Sequence, residues 1–266
     1  MPIRQEKTEL SLIFVNFRSV KLLSEALRSV SSYVFSGRVE VIVVNNDVTE
    51  AEAIRDLSKT FPLKLVMLPE NNGFGQASNK GADVAVGDIL GFLNPDTVLI
   101  DGSLEKINQY FKTHPDVGVI GAALVTDDGR PEPWSFGMTQ TLFSLFQNKL
   151  CRFPRPVADR GERFRVEWVS GAAMFVRTDL FRRVHGFDEE FFLYFEDMDL
   201  CERARQAGAS VTYMQDIVFR HHGGATQSSR PDQKRRYYVS QDRYFAKHRP
   251  KWEGRAVTLF RGFFNA

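Results

Sequence analysis

Four stretches of this chain combine residue types and spacings that can do chemistry. In Asn94-Pro95-Asp96-Thr97 a carboxylate stands directly off the apolar run Ile89 to Leu93, with Pro95 fixing the backbone before it. A hard cation such as Mg²⁺ or Mn²⁺ takes one or two carboxylates and completes its shell with water and phosphate oxygens, so one presented aspartate suffices. The alternative is that Asp96 caps a turn, or the helix beginning near Ser103. Residues Glu196, Asp197, Asp199 and Glu202 form an acidic cluster behind the aromatic run Phe191 to Phe195. On a helix Glu196, Asp199 and Leu200 share a face and Asp197 points elsewhere, which splits the acids between a cation such as Arg203 and a cleft. A carboxylate at the rim of an apolar pocket works as a general base; simple stabilisation at a helix start is the competing account. The pair His221-His222 before Gly223-Gly224 supplies one imidazole ligand of the kind Mn²⁺ accepts, with the register between the two left open. In Asn71 to Gly81 the glycines read GxGxxS after the third strand, which argues against a dinucleotide fingerprint. Gly73 and Gly75 still allow a backbone to approach a ligand closely, and Lys80 is suited to a phosphate.

Those residues need a frame. Apolar runs alternate with helical patterns: Leu10 to Val15, a helix over 20–32, Val39 to Val44, a helix over 50–59, Leu63 to Leu68, a helix over 76–86 and Ile89 to Leu93. Short strands of continuous Val, Ile and Leu are what a parallel sheet covered on both faces requires. The polar residues fall at the C-terminal strand ends: Asn16, then Asn45, Asn46 and Asp47, then Asn71 and Asn72, then Asn94 to Asp96. In an open α/β sheet that edge binds ligands. Residues 127–165, rich in Pro, Gly and aromatics, read as a long loop region shaping specificity. A strand over Val166 to Val176, a helix over Thr178 to Val184, a helix over 195–206 and strands at Ser210 to Met214 and Ile217 to Phe219 follow.

Composition narrows the class. The 266 residues are 43% hydrophobic and 26% charged, enough for one large domain or two small ones. No apolar stretch reaches the roughly 18 residues of a spanning helix, and no signal-peptide layout opens the chain, so a cytoplasmic setting is the expectation. Cys151 and Cys201 form no metal-ligand pattern and read as buried apolar residues. The net charge of +2 hides an asymmetry: residues 230–266 hold ten Lys/Arg against three acids, leaving the rest acidic. In that tail Tyr237, Tyr238, Tyr244, Phe245, Trp252, Leu259, Phe260, Phe263 and Phe264 interleave with the cations. This composition suits the inner face of an anionic plasma membrane; the alternative is a helix docked on the body with solvated cations. Nucleic acid is a poorer partner for so acidic a body. The expected division is 1–229, with halves at about 8–125 and 126–229, followed by a helical extension over 230–266.

Taken together, the segments resemble family 2 glycosyltransferases of the GT-A fold, in the rhamnosyltransferase-like branch, over Leu10 to Thr226. The carriers are Ile13 to Phe17, Asn72-Gly73-Phe74-Gly75 with Asn79-Lys80-Gly81, Leu93 to Asp96, Trp168 to Ala172, and Gly186-Phe187-Asp188 through Phe191 to Leu200. The resemblance implies a Rossmann-like, mostly parallel α/β sheet with helices on both faces. It implies transfer of a sugar from a nucleotide donor, dTDP-rhamnose favoured and UDP-sugars open, to a hydroxyl of a lipid-linked or polysaccharide glycan. Inversion at the anomeric carbon and help from Mn²⁺ or Mg²⁺ come with it. By position it makes Asp96 and His221 the metal ligands, and Asp197 the catalytic base ahead of Glu196. Val15, Asn16, Asn45, Asp47, Gly73, Gly75, Asn79, Lys80 and Asn94 fall to the donor, and Trp168, Ser170 and Gly171 to the acceptor. Asn45 stands where the family usually has an aspartate holding the nucleotide base, a role open to Asp47. Two other classes compete. A nucleotidyltransferase would need a glycine-rich phosphate loop after the first strand, which Asn16-Phe17-Arg18 is not. A non-catalytic nucleotide-sugar or glycan-binding module is favoured by Asn45 and disfavoured by the intact Asp96, Asp197 and His221.

Overall fold

A computed structural model describes residues 8–34, 38–150, 162–223 and 230–261. The expectations for Cys151, Gly224, Phe263 and Phe264 fall outside that range.

The first four strands, β1 (Leu10–Asn16), β2 (Val39–Asn45), β3 (Lys64–Met67) and β4 (Ile89–Leu93), are parallel and lie in the order β3-β2-β1-β4. Every residue of β1 and β4 is buried. Because successive strand residues point to opposite faces, β1 and β2 feed two cores at once. Ile13, Val15, Ile42 and Val44 enter one cluster, and Leu12, Phe14, Val41 and Val43 the other. Helices α1 (Val20–Val34), α2 (Ala51–Thr60) and α4 (Leu104–Thr113) cover the second face. They do so with stripes at helical spacing, Leu23-Ala26-Leu27-Val30 and Leu104-Ile107-Phe111. Helix α3 (Gly73–Asp83) contributes Ala77 and Ala82 to the first face.

The sheet continues β4-β10-β6-β11-β5, with β8 (Arg163–Val166) on β11. Strand β6 (Val117–Val125) is parallel to β11 (Ser210–His221), and β5 (Thr97–Asp101) is antiparallel to it. Strand β10 (Ala173–Arg177) is antiparallel to β4 and β6, pairing Ala173 with Leu93. A strand running backwards starts where its neighbours end, so the residues before β10 arrive at the ligand-binding edge.

Several expectations need correcting. Residues 127–165 include β7 (Phe136–Gly137) and α5 (Leu142–Leu150) besides the start of β8. The strand expected over Val166 to Val176 is broken into the end of β8, β9 (Trp168–Val169) and β10, because Ser170 to Ala172 turn at the edge. The two strands expected at 210–214 and 217–219 are one, with register shifts between Met214 and Val218. Helix α3 starts three residues early, where Gly73 at φ +79° opens it and its N–H donates to Asn71 Oδ1.

After α6 (Thr178–Arg183) and α7 (Glu196–Gln206), the chain ends in α8 (Arg230–His248) and α9 (Lys251–Leu259). A third apolar cluster joins Leu145, Phe191 and Phe195 to Tyr244, Phe245 and Val257, so the tail packs on the body. Its basic residues meet acids: Lys247 reaches Asp199, which His248 also contacts, Arg249 reaches Glu202, and Arg243 reaches Glu190. Among the described residues, no helix is long and apolar enough to cross a membrane. Cys201 is buried, and burial pushes its thiol up to about 12, in keeping with a packing role.

Candidate active site

Asn94 to Thr97 form a tight turn closed by the Thr97 N–H and hydroxyl, both donating to the Asn94 carbonyl. The helix starting at Leu104 is capped by Ser103 itself, so Asp96 is not spent on that task. Pairing of His221 with Thr97 in the β11–β5 ladder brings the imidazole over the turn. His221 Nε2 lies 3.3 Å from Asp96 Oδ1, and both side chains are almost fully buried. Asn94 Nδ2 lies 3.3 Å from the same nitrogen, and Glu132 Oε2 lies 2.7 Å from Nδ1 on the other side of the ring. Burial by itself pulls the imidazole pKa down, but the bonds to Asp96 and Glu132 outweigh it and hold His221 up at about 10. His222 is placed differently: its backbone N–H donates to the Asp96 carbonyl and its ring pairs with Asp127.

The donor set fits a divalent cation. Two ligands at right angles on a cation with bonds of about 2.1 Å lie roughly 3 Å apart, close to the separation seen here. Among the described residues, no three His, Cys, Asp or Glu side chains converge in a way that could hold an ion. Two protein ligands plus water and phosphate oxygens is the arrangement that Mg²⁺ and Mn²⁺ commonly use.

The second half of the site is reached through one hydrogen bond, from the Asn94 N–H to the Ala172 carbonyl. Next to Ala172, the Gly171 N–H donates to Asp197 Oδ2 at 2.9 Å, and Asp197 Oδ1 accepts from the Met198 N–H at 2.7 Å. A Cβ on Gly171 would sit 3.3 Å from the Phe74 ring and 3.5 Å from Asp197 Cβ, so the backbone passes between them. Asp197 opens α7 behind Tyr194 and Phe195, at φ +71° and +66°, two consecutive bulky residues in the left-handed region. Each costs on the order of 1 kcal/mol or more, and packing of both rings on Tyr237, and of Phe195 on Tyr244, holds them there.

The acids divide as the helical wheel requires. Asp197 keeps partial exposure, and burial raises its pKa against the pull of its two N–H donors. Glu196 is buried with Oε2 unpaired, and burial together with the Asp197 charge raises it well above the usual carboxylate range. Its side chain is turned into the interior, whereas Asp197 beside it keeps partial exposure. Asp199 is fully buried in an ion pair with Arg203 and contacts Lys247 and His248 at 2.7 Å each.

Other expected residues are placed differently. Asn16 and Asn45 are fully buried and bond each other; Asn16 also reaches Glu50, and Asn45 reaches the Asp47 carbonyl. Val15 is core, so only its backbone lies at the edge. Asp47 holds Arg18 and Thr49. The approach that Gly73 permits is to the Phe192 carbonyl, 2.2 Å from where a Cβ would sit, while a Cβ on Gly75 would lie 3.2 Å from Phe187 Cβ. Asn79 clamps the Phe187 peptide from both sides. Lys80 is exposed, about two turns along α3 from Gly73, beside Asp83. Trp168 is buried with its indole N–H on the Met138 carbonyl, whereas Ser170 stays partly exposed, its N–H donating to Ser135. Sequence reasoning missed Glu132, Arg18 and Glu50; Arg18, at φ +54° with its guanidinium over Phe17, is the exposed cation beside the strand ends.

Solved structures share this architecture. TarS of S. aureus with UDP-GlcNAc superposes with a TM-score of 0.61 at 18% identity, covering 90% of this chain and 66% of that one. The mannosyltransferase PcManGT from Pyrobaculum calidifontis, in complex with GDP-Man and Mn²⁺, gives 0.59 at 17%, covering 93% and 66%. The fold is therefore that of a GT-A glycosyltransferase. At the level of sequence the chain belongs to glycosyltransferase-like family 2, whose model matches residues 8–240. The N-acetylglucosaminyl-diphospho-decaprenol L-rhamnosyltransferase of Mycobacterium tuberculosis is 27% identical over 204 residues, 69% of this chain. That match spans 66% of the mycobacterial protein, about two thirds of its length. Rhamnosyltransferase WbbL of Escherichia coli is 38% identical over 87 residues, 32% of each chain.

Proposed function

We propose that this chain transfers a sugar from a nucleotide donor to an acceptor hydroxyl with inversion, using a divalent metal. The observation that carries the reading is the 3.3 Å pairing of Asp96 with His221, joined through Asn94, Ala172 and Gly171 to the Asp197 carboxylate. Asp96 and His221 would hold a divalent cation, which when bound would neutralise charge on the departing diphosphate. Asp197, its orientation fixed by two backbone N–H donors, takes the proton from the acceptor hydroxyl as it attacks. Burial raises its pKa above the ordinary carboxylate value, which makes it a stronger proton acceptor. The strained Tyr194–Phe195 turn holds that carboxylate at the edge, where the Ser170–Gly171 peptide borders the acceptor space.

The names of two relatives favour rhamnose as the sugar and a lipid-diphosphate-linked or polysaccharide glycan as acceptor; dTDP-rhamnose is the donor we propose from the family resemblance, with a UDP-sugar the second choice. A thermal-shift titration with dTDP, UDP, GDP and ADP, each with and without Mn²⁺, tests the donor. Binding at 100-fold over Kd stabilises by about 2.7 kcal/mol. Metal-dependent stabilisation by dTDP supports the reading, stabilisation by UDP alone replaces rhamnose, and silence toward all four removes the transferase assignment. Membrane contact is proposed through α9 rather than the whole tail, since Lys247, His248, Arg249 and Arg243 are engaged in ion pairs. Trp252, Arg255 and Leu259 share the face of α9 opposite the buried Val257, with Trp252 62% and Leu259 78% exposed. Cosedimentation with phosphatidylglycerol vesicles that survives a Trp252→Glu/Leu259→Glu double substitution would overturn it.

A further inference from the structure

We propose that Glu132 is a positioning residue for the metal-binding histidine: it holds His221 as the tautomer whose Nε2 lone pair faces the cation. The proposal rests on the metal-site reading above.

The sequence around it, Thr126 to Trp134, forms a hairpin rather than a free loop. Gly129, at φ +76°, closes a turn in which its N–H donates to the Thr126 carbonyl and the Thr126 N–H donates to Arg130. The chain then runs back along β6: Pro131 bridges Val125, and the Glu132 N–H donates to the Leu124 carbonyl at 2.9 Å. Leu124 and Val125 pair with Phe219 and Arg220, so the hairpin is registered on the strand that ends in His221. Glu132 is thereby fixed beside the imidazole by backbone bonds, and its Oε2 meets Nδ1 at 2.7 Å.

A carboxylate is acceptor-only, so the 2.7 Å contact requires the proton to be on Nδ1. Without a cation the ring is held protonated against both Glu132 and Asp96; a bound cation would displace the Nε2 proton, and that nitrogen's lone pair would then face it. Asn94 Nδ2, a donor, lies 3.3 Å from that nitrogen and agrees with the same tautomer. Asp96 Oδ1 lies 3.3 Å away on the side where the cation would sit. A ligand histidine whose far N–H is held by a carboxylate is both oriented and made more basic, and losing that partner typically weakens metal binding about 10- to 100-fold.

The test is Mn²⁺ affinity, read from the free Mn²⁺ signal in electron paramagnetic resonance, with dTDP present, for wild type, Glu132→Ala and Glu132→Gln. A Gln amide oxygen still accepts the Nδ1 proton. The expected result is about a tenfold weaker Mn²⁺ Kd in Glu132→Ala and less than threefold in Glu132→Gln. A folded Glu132→Ala that binds Mn²⁺ as tightly as wild type overturns the proposal and leaves the metal site standing. Equal loss in both variants overturns the tautomer account, and wild type that binds no Mn²⁺ overturns the metal reading together with it. If Glu132→Ala does not fold, the ¹H–¹⁵N imidazole spectrum of wild type with Mg²⁺ and dTDP decides. A His221 proton on Nδ1 supports the proposal; one on Nε2 refutes it.

Discussion

Replacing Asp199 by Asn separates structure from chemistry within one acidic motif. Asp199 is fully buried and accepts from Arg203, Lys247 and His248. Burial alone would raise its carboxyl; the bonds from His248, Arg203 and Lys247 outweigh it and hold the pKa at about 2, against 3.8 ordinarily. Nearly two units of depression correspond to about 2 kcal/mol of folding stability at neutral pH. Asn keeps one acceptor oxygen but turns an amide donor toward Arg203, Lys247 and His248, so this figure is a floor. For a chain of this size each kcal/mol moves the melting temperature by about 2–4 °C, so Asp199→Asn should melt roughly 4–8 °C lower at pH 7. The sign of the pH effect follows from the depressed pKa. The contribution is complete above about pH 4 and is lost as pH falls toward 2. Thermal melts from pH 7 downward should therefore show a constant gap between wild type and variant that closes only in that acid window. Because the groups are buried, 0.5 M salt should leave the gap largely intact. Equal melting temperatures at pH 7, or a gap indifferent to acid, would refute the assignment of Asp199 as the hub that fastens α8 to α7.

Asp197→Asn, one residue pair away, should behave oppositely: kcat in a transfer assay falls about 10²- to 10⁴-fold, and the melting temperature is unchanged or higher because a buried charge is gone. His221→Ala should abolish the Mn²⁺ dependence of any nucleotide-induced thermal shift, as should Asp96→Asn, with far-UV circular dichroism unchanged. Gly73→Ala places a Cβ 2.2 Å from the Phe192 carbonyl in a left-handed backbone, and denaturant melts should show a loss of about 2 kcal/mol or more.

The central strands were legible because β1, β2 and β4 are short, largely apolar runs rich in Val, Ile and Leu, the pattern that a doubly covered parallel sheet requires. The edge was legible for the same reason, since polar residues gather where those runs stop. Strand direction in the second half was not. Nothing local in Ala173 to Arg177 distinguishes a parallel from an antiparallel strand; the pairing with Leu93 does. Helix α5 escaped because it buries Leu142 only partly and Leu145 fully while leaving Phe143 exposed, which blurs the apolar stripe. Asp96 and the His221-His222 pair stood out singly as candidate ligands, but joining Asp96 to His221 came from the family resemblance, because no spacing argument links residues 125 positions apart. Glu132 carried no signal in its own neighbourhood, because its partner arrives through the β6–β11 ladder. The basic tail shows what composition leaves out: its cations meet acids on α7 and on the segment before it, so a charge surplus counted along the chain is partly neutralised in space.

The Tyr194–Phe195 turn makes the helical tail a working part of the protein. The backbone there sits uphill, and Tyr237 and Tyr244 are the weights that keep it down. Residue 229 marks a change in charge, but cohesion runs straight across it. A protease that nicked the chain between the body and α8, or a gene cut at that point, would not release a smaller working unit. It would uncover Phe191 and Phe195, strand Asp199 among fewer cations and let the turn relax, carrying Asp197 away from the Gly171 N–H. Activity and tail retention should therefore be inherited together, in evolution as in limited proteolysis.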